Sequence, residues 1–538
     1  MTLRGLLPAR RPLAAAALTA VLLFLAYPPF SLIVPSFIAL VPFLWMLEEA
    51  VGADAPSNRR AGAPGGDGGT LEGPNAVMPG WGEVVRTGYW FGVLSNGVVL
   101  YWIAVALWHF TPLSFAGYLA AVLLVLAPGW LLLAWGYAAV RRRTGLSAWV
   151  VFPLLWTALE WVAGHLGDVR FPWLGLGTSL TRVPVLVQWA ELAGARGVTL
   201  WLAWANVLVY LALSRRVWRP AALVAATVVG ALGFGLWRER SLVTRPVTTV
   251  AVLQPNVGFR DKWDPSQRDS LVVQLVRLTR DAGRMPGVRL IAWPEAALPG
   301  YFLDHPRWDA LVGSTARELG IPIVAGALDA EFLPSGGYDY FNAAFLFDAG
   351  GSRHGQPSYR KKYLVPITER VPFLPPRWFG DLRWFGGFAH GDRFPVYRIA
   401  EGGFGIVICY ESAFEDLPRG YRRDGADFLL NVTNDAWFGR TVAVHQHAAH
   451  LVMRAIETRM GVARAANTGI SQFVDPLGRA HHSTPLDIER VVSAPVLTTD
   501  VRTLYVRLGD WVAALALAGT AALLVAAFVR PRPQGASR

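Results

Sequence analysis

The sequence predicts two architectures in one chain: an α-helical membrane bundle of about eight spans and, inserted ahead of the last span, an α/β domain of layered strands and helices. Three observations lead there. Apolar residues make up 53% of the 538 positions, charged residues only 16%, and tryptophan occurs 23 times, with a mean hydropathy of +0.35; this is the composition of a chain with several spans. Arginines stand in short clusters beside apolar runs, the pattern of membrane topology. Between about 246 and 505 the long apolar runs give way to short β-branched strands separated by helical patterns.

Arg4, Arg10 and Arg11 precede the apolar run 13–27, which alone resembles a signal peptide. A second run, 31–47, follows Pro28-Pro29 almost at once without a small-residue cleavage site, so both are read as uncleaved spans. Gly, Pro, Ala and Asp dominate from about 50 to 83, which predicts a flexible loop. Runs at 88–110, 113–140, 146–163, 192–213, 220–237 and 511–529 bring the spans to eight, each near the ~20 residues that cross a bilayer. The expected division is a seven-span bundle over 1–240, an extracytoplasmic domain over 246–505, and a last helix with a cytoplasmic tail over 508–538.

With a cytoplasmic N-terminus, Arg59-Arg60, Arg141-Arg142-Arg143, Arg215-Arg216 with Arg219, and Arg530 with Arg532 all fall on the cytoplasmic side. Arg238 and Arg240 fall on the other side, where a large translocated domain escapes the rule. The net charge of +12 is spread over these clusters, which argues against nucleic acid as a partner. Phe171-Pro172-Trp173-Leu174-Gly175 joins two spans and is read equally as an aromatic interface belt or a lipid-holding segment. Glu160, near the outer end of its span, is expected to snorkel to the interface.

In the α/β domain, strands are expected at 247–253, 288–293, 321–326, 343–347, 405–409 and 428–432, with helices at 266–282 and 306–319. Three strand-end stretches each offer one reactive group. Trp293-Pro294-Glu295 ends a strand on a carboxylate, Tyr359-Arg360-Lys361-Lys362 offers an ammonium, and Gly405-Ile406-Val407-Ile408-Cys409 ends on the single cysteine of the chain. One cysteine excludes an internal disulfide and any metal site built on paired thiols. A helix starting after Cys409 would favour its thiolate. A base, a cation and a nucleophile are what acyl transfer requires, although each alone also reads as an ordinary buried thiol or surface charge.

Trp-Pro-Glu, Lys followed by Leu364-Val365-Pro366, and Cys409-Tyr410-Glu411, in this order, resemble the Glu-Lys-Cys triad of the nitrilase, or carbon-nitrogen hydrolase, superfamily. The eight spans, Phe171-Pro172-Trp173, the stretch from Lys361 through Glu369 to Phe373, and Asn434-Asp435-Ala436-Trp437-Phe438-Gly439 with His445-Gln446-His447 are together similar to the apolipoprotein N-acyltransferase family. The likeness spans the chain except the 50–83 loop. It implies a nitrilase-like αββα sandwich for the soluble part, and a bacterial inner-membrane enzyme whose catalytic domain lies on the periplasmic side. Such an enzyme moves a fatty acyl chain from a phospholipid, through a cysteine thioester, to the α-amino group of a diacylated apolipoprotein.

By this resemblance Glu295 is the general base, Lys361 the oxyanion-stabilising cation and Cys409 the nucleophile, with Glu369, Trp263, Tyr410 and Glu411 in support. Two departures bear on loop geometry: Pro255 follows Gln254 where Gly is common, and Ile367-Thr368 replaces the usual Phe-Gly. The resemblance implies no cofactor and no metal, so His445, His447 and His450, ahead of a helical run at 451–465, are not read as zinc ligands. Trp378, Phe379, Trp384 and Phe385, bounded by Gly and Pro, are expected to form a lipid-facing arm. The same triad also suits a membrane-tethered amidase, which would need a polar, water-accessible pocket; a non-catalytic membrane scaffold is the third reading.

Overall fold

The computed structural model describes residues 10–52, 80–109, 112–298, 300–302, 304–334, 336–375 and 387–529. The stretch carrying Trp378, Phe379, Trp384 and Phe385 lies outside them, as do Arg59 and Arg60.

Apolar composition makes the bundle. Five helical segments are long and apolar enough to cross a membrane, namely Ile33–Val51, Ser114–Thr144, Ala190–Arg215, Arg219–Ser241 and Trp511–Val529. Trp81–Val99 and Trp102–Trp108 add a span bent by 59°, and Arg10–Ala26 and Ala148–Ala163 are shorter apolar helices. Their positions coincide with the expected apolar runs, but five, or six with the bent pair counted as one, are long enough to cross a membrane and two are shorter; the chain is a multi-pass membrane protein. Large apolar side chains such as Leu124, Val229 and Val529 point outward from them, as a lipid-facing surface requires. The π-helical stretch Ala121–Leu126 interrupts the helical ladder of Ser114–Thr144, a feature that recurs at functional positions.

Glu160 corrects the snorkelling expectation. Its carboxylate pairs with the buried Arg196 guanidinium and accepts from Thr199 Oγ1 at 2.6 Å and the Leu176 N–H at 2.9 Å. A charge so near a buried cation gains more by pairing than by reaching for water. Arg196 also meets Glu415 at 2.9 Å, so the pair ties a span to the α/β domain. The Ala190–Arg215 helix kinks at Gly194, where φ is +67° and a Cβ would lie 2.4 Å from the Tyr505 ring. Only glycine fits there. The kink frees the Ala195 N–H to donate to Glu457 Oε1 at 2.7 Å.

Residues from Arg245 onward build two six-stranded sheets. One has the order β12-β1-β2-β3-β4-β5, with β1 Arg245–Gln254, β2 Val288–Ala292, β3 Ile323–Phe332, β4 Tyr338–Phe347, β5 Tyr359–Arg360 and β12 Arg490–Thr498. The other has the order β11-β10-β9-β8-β7-β6, with β6 Tyr397–Ile399, β7 Gly402–Ile408, β8 Phe428–Thr433, β9 Gly461–Ala466, β10 Gln472–Val474 and β11 Ala480–His481. Period-two alternation explains the layering. Val250, Val252, Leu290, Ala292, Val324 and Leu346 share a core with Phe404, Ile406 and Leu430 of the other sheet. Their neighbours Ala251, Leu253, Ile291, Ile323 and Phe345 face the helices Arg268–Gly283 and Pro306–Leu319. Asp416–Arg423 and Val442–Thr458 pack on the second sheet. This is the expected αββα sandwich.

The local expectations hold with three differences. The histidines lie inside the Val442–Thr458 helix rather than ahead of one, and the supposed helical run ends in β9, because Gly461 can approach the Leu497 backbone as a side chain could not. A single 3₁₀ turn, Cys409–Ala413, follows the cysteine where a longer helix was expected. Six of the twelve strands fall outside the anticipated set, including β9 to β12; short or polar strands leave little periodic signal.

Candidate active site

Glu295, Lys361 and Cys409 come together from the ends of β2, β5 and β7, so the site straddles both sheets. Trp293 buries its ring, with its Nε1–H donating to Thr279 at 2.9 Å and its backbone N–H to the Val324 carbonyl at 2.8 Å. The turn after it runs against β3 at Gly326, where a Cβ would sit 2.2 Å from the Pro294 oxygen. Absence of that Cβ lets Glu295 reach the interior.

Glu295 Oε1 accepts from Lys361 Nζ at 3.1 Å and Asn342 Nδ2 at 2.7 Å, and Oε2 accepts the Asn434 N–H at 2.9 Å. Lys361 Nζ also donates to Glu369 Oε1 at 2.9 Å, and that oxygen takes a 2.9 Å bond from Asn342. An ammonium has three N–H bonds; two point at carboxylates, and among the described residues no acceptor is seen for the third. Burial disfavours the Lys361 charge, yet Glu295 and Glu369 hold its pKa well above the ordinary lysine value.

Cys409 adopts φ +50°, a conformation that costs a non-glycine residue about 1–3 kcal/mol. Glu411 holds the turn in place. Its fully buried carboxylate accepts the Ile408 N–H at 2.7 Å, the Lys362 N–H at 2.7 Å, the Tyr363 N–H at 3.1 Å and the Tyr359 hydroxyl at 2.8 Å. It thereby clamps the Cys409 turn to the Lys361 loop. Burial, then the Glu295 carboxylate, push the Cys409 thiol far above its usual range, against Lys361 and a hydrogen bond with Thr433. The expectation of a helix-stabilised thiolate is corrected accordingly. A 3₁₀ turn is too short to supply a dipole, and burial favours the thiol form of Cys409 beside the Glu295 carboxylate.

Tyr410 reaches the other way. Its hydroxyl donates to the Arg170 carbonyl at 2.8 Å, and its ring lies along Trp173 at 6.1 Å. Trp173 and Trp102 both donate through Nε1 to Gln446 Oε1, at 2.9 and 3.2 Å, so two membrane segments dock on one side chain of the α/β domain. Trp263 does not line the site. It is half-buried against Ala296, Leu328 and Phe388. His447 Nδ1 bonds to Asp435 at 2.9 Å and His450 packs edge-on to Trp173; among the described residues no group of three or more His, Cys, Asp or Glu is arranged for a metal.

Glu295, Lys361 and Cys409 open into a cavity of about 200 Å³. Glu295, Lys361, Glu369 and Cys409 form its polar end, and Ala106, Leu107, Ala121, Val125 and Phe171, from membrane helices and their connecting loop, supply much of the rest of its wall. Sequence reading missed Asn342, which bridges both carboxylates, and the wall residues from the membrane helices, but it singled out Phe171, Trp173 and Tyr410, which line the cavity. A lone polar side chain in the apolar run 341–347 was the available signal for Asn342; the helical part of the wall had none, since any span shows the same residues.

Comparison with known proteins agrees with this architecture. The carbon-nitrogen hydrolase family matches residues 249–504, and the apolipoprotein N-acyltransferase N-terminal domain matches residues 74–208. The apolipoprotein N-acyltransferase of Geobacter metallireducens is 33% identical over 83% of this chain and 88% of its own. That of Brucella melitensis is 30% identical over 90% of this chain and 89% of its own, and that of Chlorobaculum tepidum 31% over 73% and 79%. A nitrilase-like sandwich fused to a membrane bundle, matched along both parts by these relatives, places the chain in the apolipoprotein N-acyltransferase family.

Proposed function

We propose that this chain transfers a fatty acyl group from a membrane phospholipid, through a thioester on Cys409, to the α-amino group of the diacylglyceryl-modified N-terminal cysteine of lipoproteins. The observation that carries the reading is the cavity: its reactive end is the Glu-Lys-Cys cluster, and its wall is apolar and shared between membrane helices, the loop carrying Phe171 and Trp173, and the α/β domain. An acyl chain fits such a lining, whereas a small amide hydrolysed in water calls for the polar pocket of the amidase reading.

In the first half-reaction Glu295 takes the Cys409 proton as sulfur attacks the ester carbonyl, and Lys361 donates to the developing oxyanion. The C–O bond breaks, and Glu295 returns the proton to the departing lysophospholipid oxygen. In the second, the lipoprotein amine attacks the thioester and Glu295 accepts the amine proton. Collapse of that intermediate breaks the C–S bond, and the proton passes back to sulfur. Glu369 and Asn342 aim Lys361 and Glu295 throughout.

Given radiolabelled phospholipid without acceptor, the protein accumulates an acyl adduct on Cys409 detectable by intact-mass spectrometry, and a diacylated lipopeptide discharges it. Lipopeptide acylation with no adduct at any time would replace the covalent route by direct transfer.

The proposed address is the bacterial cytoplasmic (inner) membrane, with residues 246–505 extracytoplasmic and both termini inside. Arg142 and Arg143 support it by bonding to the Ala50 and Ala527 carbonyls, at 2.5 and 3.3 Å, which brings this arginine cluster beside the C-terminal ends of the Ile33–Val51 and Trp511–Val529 segments. Reporter fusions after Ala61 and Ser352 are expected to report opposite compartments. Agreement between the two sites overturns this threading.

A further inference from the structure

Lys262 is a buried titratable group beside the triad that the chemistry above leaves unused. It lies in the short helix Phe259–Trp263 between exposed Asp261 and half-buried Trp263, yet it is only 2% exposed. Lysine is almost never buried to this degree without a purpose for its charge. Its Nζ donates to the backbone carbonyl of Glu295 at 2.9 Å. It therefore grips the base from the side opposite the carboxylate, which Lys361, Asn342 and Asn434 hold. The next residue, Ala296, has φ +43°, so the turn carrying Glu295 is under backbone strain that a charge-assisted hydrogen bond is suited to hold.

Besides that carbonyl, the ammonium faces the Trp263 ring, 5.9 Å from its centroid. A void of about 10 Å³ beside it is lined by Pro255, Val257, Leu271, Pro294 and Asn467, all uncharged. The groups that act on its charge are Glu295, after β2, and Cys409, after β7; Arg260 and Asp261 of its own helix are exposed. The Arg268–Gly283 helix contributes only apolar Leu271 and Leu275 on this side.

We propose that protonated Lys262 is a positioning residue for acyl transfer, fixing the Glu295 backbone so that its carboxylate stays aimed at Cys409. The proposal rests on the acyl-transfer reading above for its substrate, but not for its geometry. Burial lowers the Lys262 pKa to about 8, against Glu295 and Cys409. The charge is thus present below pH 8 and lost above it, and the grip weakens in the same direction.

The test compares the unaltered full-length protein with Lys262→Met and Lys262→Arg between pH 6 and pH 9.5. One readout is the rate of acyl-adduct formation on Cys409 from phospholipid. The other is the rate of Cys409 alkylation by iodoacetamide, which needs no phospholipid. In the unaltered protein the adduct rate is expected to fall as pH rises through about 8. Lys262→Met is expected to be about tenfold slower at pH 7, the effect of roughly one pH unit of lost stabilisation, with no alkaline fall. Lys262→Arg, whose charge persists at every pH used, is expected to keep most of the rate and to remain active through pH 9.5. The ratio of unaltered to Met alkylation rates should likewise be largest below pH 8 and collapse above it.

The proposal is overturned if Lys262→Met matches the unaltered rate. It is equally overturned if either variant keeps the alkaline fall, since a merely structural lysine would change rate or folding without removing that limb. Should Lys262→Met fail to fold, the Arg profile alone decides. Should the unaltered protein form no acyl adduct at any pH, the acyl-transfer reading fails while the alkylation ratio still decides the role of Lys262.

Discussion

Cys409→Ala is expected to abolish both lysophospholipid release and lipoprotein N-acylation, by a factor on the order of 10⁴ or more, because it removes the sulfur proposed to hold the acyl group. Cys409 is the sole cysteine of the chain, so no neighbouring thiol can substitute. The change deletes one buried sulfur and is expected to leave the fold intact, since Glu411 still receives the Ile408, Lys362 and Tyr363 N–H groups that hold the turn. Thin-layer separation of labelled lipids and mass spectrometry of the lipopeptide, run beside a thermal unfolding scan, distinguish lost chemistry from lost folding. Persistence of N-acylation in a folded Cys409→Ala protein would falsify the thioester route.

Glu295→Gln is expected to slow both half-reactions by about 10²–10⁴-fold, the range for a general base. Glutamine preserves size and can still accept from Asn342 or Lys361, but it cannot take the thiol proton. That loss is severe here. Burial and the Glu295 charge itself keep the Cys409 thiol protonated, so attack requires a partner that removes the proton as the bond forms. The variant should therefore accumulate little adduct from phospholipid. An acyl-enzyme formed on the unaltered protein should, by contrast, discharge normally to lipopeptide. A Glu295→Gln protein that acylates at full rate but fails to discharge would move the base role of Glu295 to the second step alone.

Much of this site could be read from the chain because each member sits in a short local pattern. A strand ends and a reactive side chain follows it in Trp293-Pro294-Glu295, in Arg360-Lys361 and in Ile408-Cys409. Strand burial and turn chemistry act over a few residues, so they leave a trace in sequence. The apolar helices of the bundle were legible for the same reason, since a bilayer demands long apolar runs. Even the αββα layers follow from period-two alternation such as Val250, Ala251, Val252, Leu253, whose members divide between two cores.

Where a side chain's meaning depends on a distant partner, the chain alone was silent or misleading. Glu160 meets Arg196 across 36 positions, Lys262 meets Glu295 across 33, and Gln446 meets Trp102 across 344. Pairing energies of this kind are set by which groups folding brings within hydrogen-bond reach, and no local periodicity encodes that. The thiol shows it best: its place after a strand was evident from Gly405 to Cys409, but its protonation depends on burial and on carboxylate and ammonium groups carried by other strands. Residue type and spacing specified which groups could react; three-dimensional proximity set their charge, their aim and the apolar cavity into which they open.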